Sequence, residues 1–128
     1  MAMRAHRLAP PDAGFARRLR MLGDAAAAEA SVCRDAAELG LAWRPIGAQN
    51  AEPPYELRPR TGRRGPSGLW EAFDTAVAVF NRANAGTDAA AVADAYGEVS
   101  TAALALAEAV EAEDRAAARR ERRSAGAA

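Results

Sequence analysis

The chain has 128 residues and a formal net charge of zero, with 17 Arg, no Lys, 17 acidic residues and one His. No global field therefore draws it to nucleic acid or to a membrane surface, and its single cysteine excludes an internal disulfide and a multi-thiolate metal site. A chain of this length suits one domain that buries about two-thirds of its unfolded surface, and because much of its apolar content is Ala the core should be slim and the helices closely spaced.

Residues 1–11 carry charges but no apolar run. They read as a flexible arm ending at Pro10-Pro11 rather than a secretory signal. Asp12 is placed to cap a first helix over about 12–39. Phe15, Leu19, Leu22, Ala26, Ala30, Cys33 and Ala37 recur at spacings of three and four, which puts them on one face. Gly23-Asp24 marks a blemish in that helix, since Gly in mid-helix costs about 1 kcal/mol. Gly40 is the expected stop, with Leu41 folding back onto the last turn.

The helical pattern breaks over 41–60. Leu41–Ile46 and Pro54–Arg58 each alternate briefly, so the segment reads as irregular chain or a short two-stranded β excursion. Pro45, Pro53, Pro54 and Pro59 limit it to edge pairing. A lone ribbon is marginal unless it packs on something, so Trp43, Ile46, Tyr55 and Leu57 are expected to rest on the helices. Thr61–Gly68 reads as a linker.

The stretch 67–110 predicts two helices folded back on each other at Asn84-Ala85-Gly86-Thr87. In the first, about 67–84, Trp70, Phe73, Val77 and Phe80 form an apolar stripe. Ser67 is the expected N-cap. Gly86, in the left-handed conformation, is the expected stop. Thr87 should cap the next helix, about 88–120, with Asp88 at its positive dipole end. Val92, Tyr96, Val99, Ala103, Leu106 and Val110 form its apolar face. Beyond Val110 no large apolar residue remains. Glu111 and Arg115 are spaced for an i,i+4 pair, and the helix is expected to fray from about Arg120 into a flexible tail, 121–128.

The fold expected is all-α: a three-helix bundle built on an antiparallel helical hairpin, with the 41–60 excursion between helices one and two. Residues 12–120 form the domain. The outer helices should be long neighbours, with the middle helix packed across them.

Little in the sequence points to catalysis. Coupling His6 to Cys33 would join a loose arm to an apolar helix face, so Cys33 reads as a small buried hydrophobe. Asp94 and Glu98, at i,i+4, are one helix's worth of oxygen ligands and too few for calcium or magnesium. Glu108, Glu111, Glu113 and Asp114 read as exposed carboxylates rather than a general acid–base pair. No catalytic residue, metal ligand or cofactor is expected.

Charge is unevenly placed. Residues 88–114 carry seven acids and no base, residues 115–123 five Arg and one Glu, and residues 57–66 four Arg and no acid. Gly62, Gly65 and Gly68 lead into a helix N-terminus amid these Arg, where backbone N–H groups and the helix dipole favour an anion. The pattern lacks the Gly-Lys-Ser/Thr of a phosphate loop. Arg58, Arg60, Arg63 and Arg64, with Arg115, Arg119, Arg120, Arg122 and Arg123, are the candidate anion- or nucleic-acid-binding residues, each able to neutralise a phosphate. No zinc-finger spacing or RNP-like motif accompanies them. The sequence therefore leads to a non-enzymatic helical interaction or scaffold protein that binds a protein partner or itself, as a homodimer for example. The alternative is a nucleic-acid or anion-binding accessory protein using the Arg segments. No apolar stretch is long enough to span a bilayer, so no membrane partner is expected and a cytoplasmic location is.

Overall fold

The computed structural model describes residues 14–43 and 64–127. The N-terminal arm, the Asp12 cap, the segment 44–63 and Ala128 lie outside the described residues. The protein is all-helical, with α1 spanning Phe15–Glu38, α2 Ser67–Asn84 and α3 Ala89–Ala127. Among the described residues there is no strand, and Leu41–Trp43, the described part of the expected excursion, is irregular.

The apolar stripes read from the sequence are the core. Phe15, Leu19, Ala26, Ala30 and Cys33 of α1 are buried, as are Trp70, Phe73 and Phe80 of α2 and Val92, Tyr96, Val99, Ala103, Leu106 and Val110 of α3. Leu22 and Val77 pack against this core at its margin. Helix α3 is the spine, packing against both α1 and α2, and its longer contact is with α1. Ala93, Ala95, Ala103 and Ala107 are buried in α3, and such small side chains let neighbouring backbones approach closely. At one end the Phe15 and Trp70 rings stack at 5.8 Å and 14°, while at the other end of α2 Phe80 meets Tyr96 at 4.5 Å. Such ring pairs contribute about 0.5–1.5 kcal/mol beyond their buried area.

The blemish at Gly23 has a structural reason. Gly23 is buried where α1 crosses α3, and a Cβ there would lie 2.7 Å from the Leu104 side chain and 3.3 Å from the Ser100 carbonyl oxygen. The helix runs through this point unbroken. The cost of mid-helix glycine is set against a closer approach of the two backbones.

Helix ends differ in detail from the sequence expectations. Gly40 does take a left-handed conformation, with φ 73°. The Leu41 N–H donates to the Ala36 carbonyl at 2.9 Å and the Gly40 N–H to that of Ala37 at 3.0 Å, closing a Schellman motif. The Leu41 side chain, however, stays exposed. Gly86 is not left-handed: the last turn of α2 continues through Ala85 in a helical conformation, and the Gly86 N–H donates to the Ala83 carbonyl at 3.0 Å. The cap of α3 is Asp88 rather than Thr87. Asp88 Oδ1 accepts the N–H groups of Ala90 and Ala91 at 3.0 and 3.3 Å. The Thr87 carbonyl instead accepts the Trp43 N–H at 2.8 Å, and the Trp43 indole N–H donates to Asn84 Oδ1 at 2.9 Å. That pair of bonds ties the chain leaving α1 to the α2–α3 connection. Ser67 is the first helical residue and caps nothing, because Pro66 occupies the cap and its carbonyl accepts the N–H groups of Leu69 and Trp70. Finally, α3 does not end near Arg120. It continues to Ala127, sustained by a run rich in the strong helix formers Ala, Arg and Glu.

Candidate functional site

The Arg residues singled out by the sequence divide into three groups. Arg58, Arg60 and Arg63 lie outside the described residues. Arg64 is held structurally: its guanidinium pairs with Asp114 of α3, and its backbone carbonyl accepts the Trp70 indole N–H at 2.7 Å. The next residue, Gly65, has φ 94° and packs against Leu106 and Val110, where a Cβ would meet Leu106 at 3.1 Å. This turn seats the start of α2 on α3 and directs Arg64 to a carboxylate in its own chain.

Arg115, Arg119, Arg120, Arg122 and Arg123 form the third group, all exposed on the part of α3 beyond the core. At 100° per residue, Arg115, Arg119 and Arg122 share one face, Arg123 flanks it and Arg120 points elsewhere. Glu111, whose charge interaction with Arg115 was expected, is also bound by a residue of another helix. Arg20 of α1 donates to Glu111 through Nε at 2.7 Å and its terminal nitrogen at 2.6 Å. This fork geometry is the strong form of the pair. The hydrogen bond from Arg20 holds the Glu111 carboxyl below its ordinary value, and the charge of Arg115 adds to the effect. Arg20 is correspondingly raised, first by that hydrogen bond and then by the charges of Glu111, Glu108 and Asp24.

Two surface features were not read from the sequence. One is an open groove of about 1010 Å³ between α2 and α3, with Arg34 of α1 at its edge. Small residues line it, Gly68, Ala72 and Thr75 from α2 and Gly97, Thr101 and Ala105 from α3, and its charges are Glu71, Asp94 and Glu98 with Arg34 opposite in sign. The signal was present as small residues three and four apart on both helices, but stretches rich in Ala carry that spacing in several registers. The other feature is an apolar stripe made by two residues of α1 and Leu39, which caps its C-terminal end. Met21, Val32 and Leu39 are 61%, 60% and 75% exposed. Their spacings of eleven and seven put them within about 20° of one another, nearly opposite the core face. The strength of the core face masked this second, sparser periodicity.

Chemistry for catalysis or metal binding is thin at both surfaces. Cys33 is fully buried, and burial, reinforced by the charge of Glu29, pushes its thiol up, the reverse of what a nucleophile needs. Asp94 and Glu98 stand exposed at the groove rim. Among the described residues there is no group of three His, Cys, Asp or Glu able to hold a metal, and no helix is long and apolar enough to cross a membrane. What the fold defines is an all-helical protein with an acidic, small-residue groove on one side and an apolar helix face on another. No family model, curated protein or solved structure matches the chain.

Proposed function

We propose that the protein is a non-enzymatic helical scaffold that engages another helix, from a protein partner or from a second copy. The observation that carries this reading is the α1 stripe of Met21, Val32 and Leu39, large apolar side chains left more than half exposed on the face away from the core. These side chains share one face, and helix-in-groove recognition reads apolar anchors spaced along one face of a helix. The proposed architecture is an antiparallel three-helix bundle, with α2 and α3 as its hairpin. It is supported by Arg20 and Gly23 of α1 meeting Glu111 and Ser100 of α3, and by Gly65 and Phe80 around α2 meeting Val110 and Tyr96. The proposal includes a cytoplasmic location, where a free thiol such as that of Cys33 stays reduced.

Solution mass by light scattering, followed by affinity capture with Met21→Glu and Val32→Glu as controls, tests the scaffold reading. Association lost in both variants supports it. A strict monomer with no captured partner ends it.

A second reading, nucleic-acid or anion binding, is favoured by Arg119, Arg120, Arg122 and Arg123, exposed and without an ion pair among the described residues. A salt-sensitive mobility shift abolished by deleting 115–128 would support it. No shift by the intact protein at low salt would end it.

A further inference from the structure

We propose that the groove between α2 and α3 receives the Arg-bearing end of α3 from a second copy, so that two chains pair reciprocally along their α3 helices. The inference rests on the self-association branch of the scaffold reading and names its partner and surface.

Three observations carry it. The first is a charge order on one exposed face of α3. Asp94, Glu98, Ala105, Ala112, Arg119 and Arg122 fall in a single stripe with a period of three and four, and all are exposed or half-buried. Acid occupies its beginning, Ala105, Glu108 and Ala112 its middle and Arg its end. Such a stripe is complementary to itself when a second copy runs the opposite way: Glu98 then faces Arg119 of the other copy, and Ala105 faces Ala112. The acidic half of the stripe is also the α3 wall of the groove, whose α2 wall adds Glu71, so that three acids outweigh the one base, Arg34 of α1.

The second observation is one of length. From Val110, the last buried residue of α3, to its end at Ala127 the helix projects about 26 Å without a large apolar side chain. The acidic wall from Asp94 to Ala105 is about 16 Å long, and Arg115 to Arg123 spans about 12 Å. The Arg run fits within the groove.

The third is the groove floor. Ala72, Gly97 and Ala105 stand between its charged residues. Small side chains there let an incoming helix lie close, as does the Ala of the tail itself. At the midpoint of the pairing Glu108 approaches its own counterpart. Its charge already acts on Arg20 of its own chain, which moderates that repulsion without removing it.

Light scattering on a sizing column tests the pairing, at low salt and at 1 M salt, where the screening length is about 3 Å. The expected result is a dimer at low salt that dissociates at high salt. Arg119→Glu and Glu98→Arg should each weaken it by about tenfold or more. The chain carrying both substitutions should regain it, because the pairs re-form with signs exchanged. That rescue separates lost pairing from a misfolded chain. Glu108→Gln should tighten the dimer by removing the midpoint repulsion, and a weaker dimer would overturn the register. A dimer that survives salt and both single substitutions overturns the inference and leaves self-association through the α1 stripe standing. A monomer under every condition overturns the inference and the self-association branch together. If Arg119→Glu instead abolishes a nucleic-acid shift with no change in mass, the tail's partner is nucleic acid and the inference falls.

Discussion

The Ser100 hydroxyl donates a 2.7 Å hydrogen bond to the Gly23 carbonyl, joining α3 to α1 where a Cβ on residue 23 would lie 3.3 Å from the Ser100 carbonyl oxygen. Among the described residues, Ser100 is the buried polar one in a core otherwise built of apolar side chains, and this bond satisfies it. The crossing therefore depends on two small residues at once. One has no side chain, and the other has a short hydroxyl that reaches the carbonyl the missing side chain exposes.

Gly23→Ala tests the crossing. In an exposed helix the change would stabilise by about 1 kcal/mol. Here the added methyl would meet Leu104 at 2.7 Å, and overpacking costs about 1–3 kcal/mol. We expect a net loss of about 1 kcal/mol in denaturant unfolding. Combining it with Leu104→Ala should recover part of the loss, since the pair shares one space. Ser100→Ala should cost about 1 kcal/mol through the lost hydrogen bond. A stabilised Gly23→Ala protein would show that Leu104 moves aside freely.

The cap of α3 separates Asp88 from Thr87. Asp88→Ala should destabilise by about 1 kcal/mol, because two N–H groups of the first turn lose their acceptor. Thr87→Ala should cost much less, since Thr87 contributes its backbone carbonyl. Thermal unfolding of the two variants decides it, and equal losses would count against the assigned cap.

These cases show what was legible in the sequence. The core stripes were readable because large apolar residues at helical spacing have one sensible destination. Helix limits were close but their chemistry was not, because Thr87-Asp88 offers two adjacent caps that residue type does not separate, and Asp88 takes the role. Gly86 looked like a stop by residue type, yet the turn closes without needing its freedom. Gly23 looked like a defect because its reason, Leu104, lies 81 positions away in sequence. The Arg candidates were chosen by type and by their clustering along the sequence. Partners distant in sequence then sort them, Asp114 claiming Arg64, while the tail Arg remain exposed. The groove needed two helices placed side by side before it existed.

Acid should erase the Arg20–Glu111 contribution. The folded-state Glu111 carboxyl is held below its ordinary value by the Arg20 hydrogen bond. A depressed carboxylate contributes stability that is present above its unfolded value and lost as pH falls through its folded value. Thermal midpoints of the native chain and of Glu111→Gln should therefore differ at neutral pH and converge in acid, below about 4.3, the usual glutamate value. A difference that stays constant with pH would mean that packing rather than charge is responsible.

Cys33 should behave as a core residue. It is fully buried, with its thiol pushed up, so a thiol reagent should modify it slowly in the native protein and rapidly in denaturant. Cys33→Ser should destabilise more than Cys33→Ala, since a buried hydroxyl without a partner costs about 1–3 kcal/mol. Rapid native labelling would show that α1 opens locally.

The tail of α3 should contribute helix but almost no stability to the single chain. Residues 119–126 are all exposed, and the last buried residue of the helix is Val110. Deleting 119–128 keeps both Glu111 and Asp114, hence both ion pairs to α1 and to Arg64. The helical circular-dichroism signal should fall while the thermal midpoint of the monomer, measured at high salt, stays nearly unchanged. Phe80→Ala, by contrast, removes a buried ring packed on Tyr96 and should cost about 3–5 kcal/mol. A helix kept at its full length yet energetically idle within its own chain is what an intermolecular role for the tail requires. A large drop in the midpoint of the truncated monomer would instead show the tail packing within its own molecule.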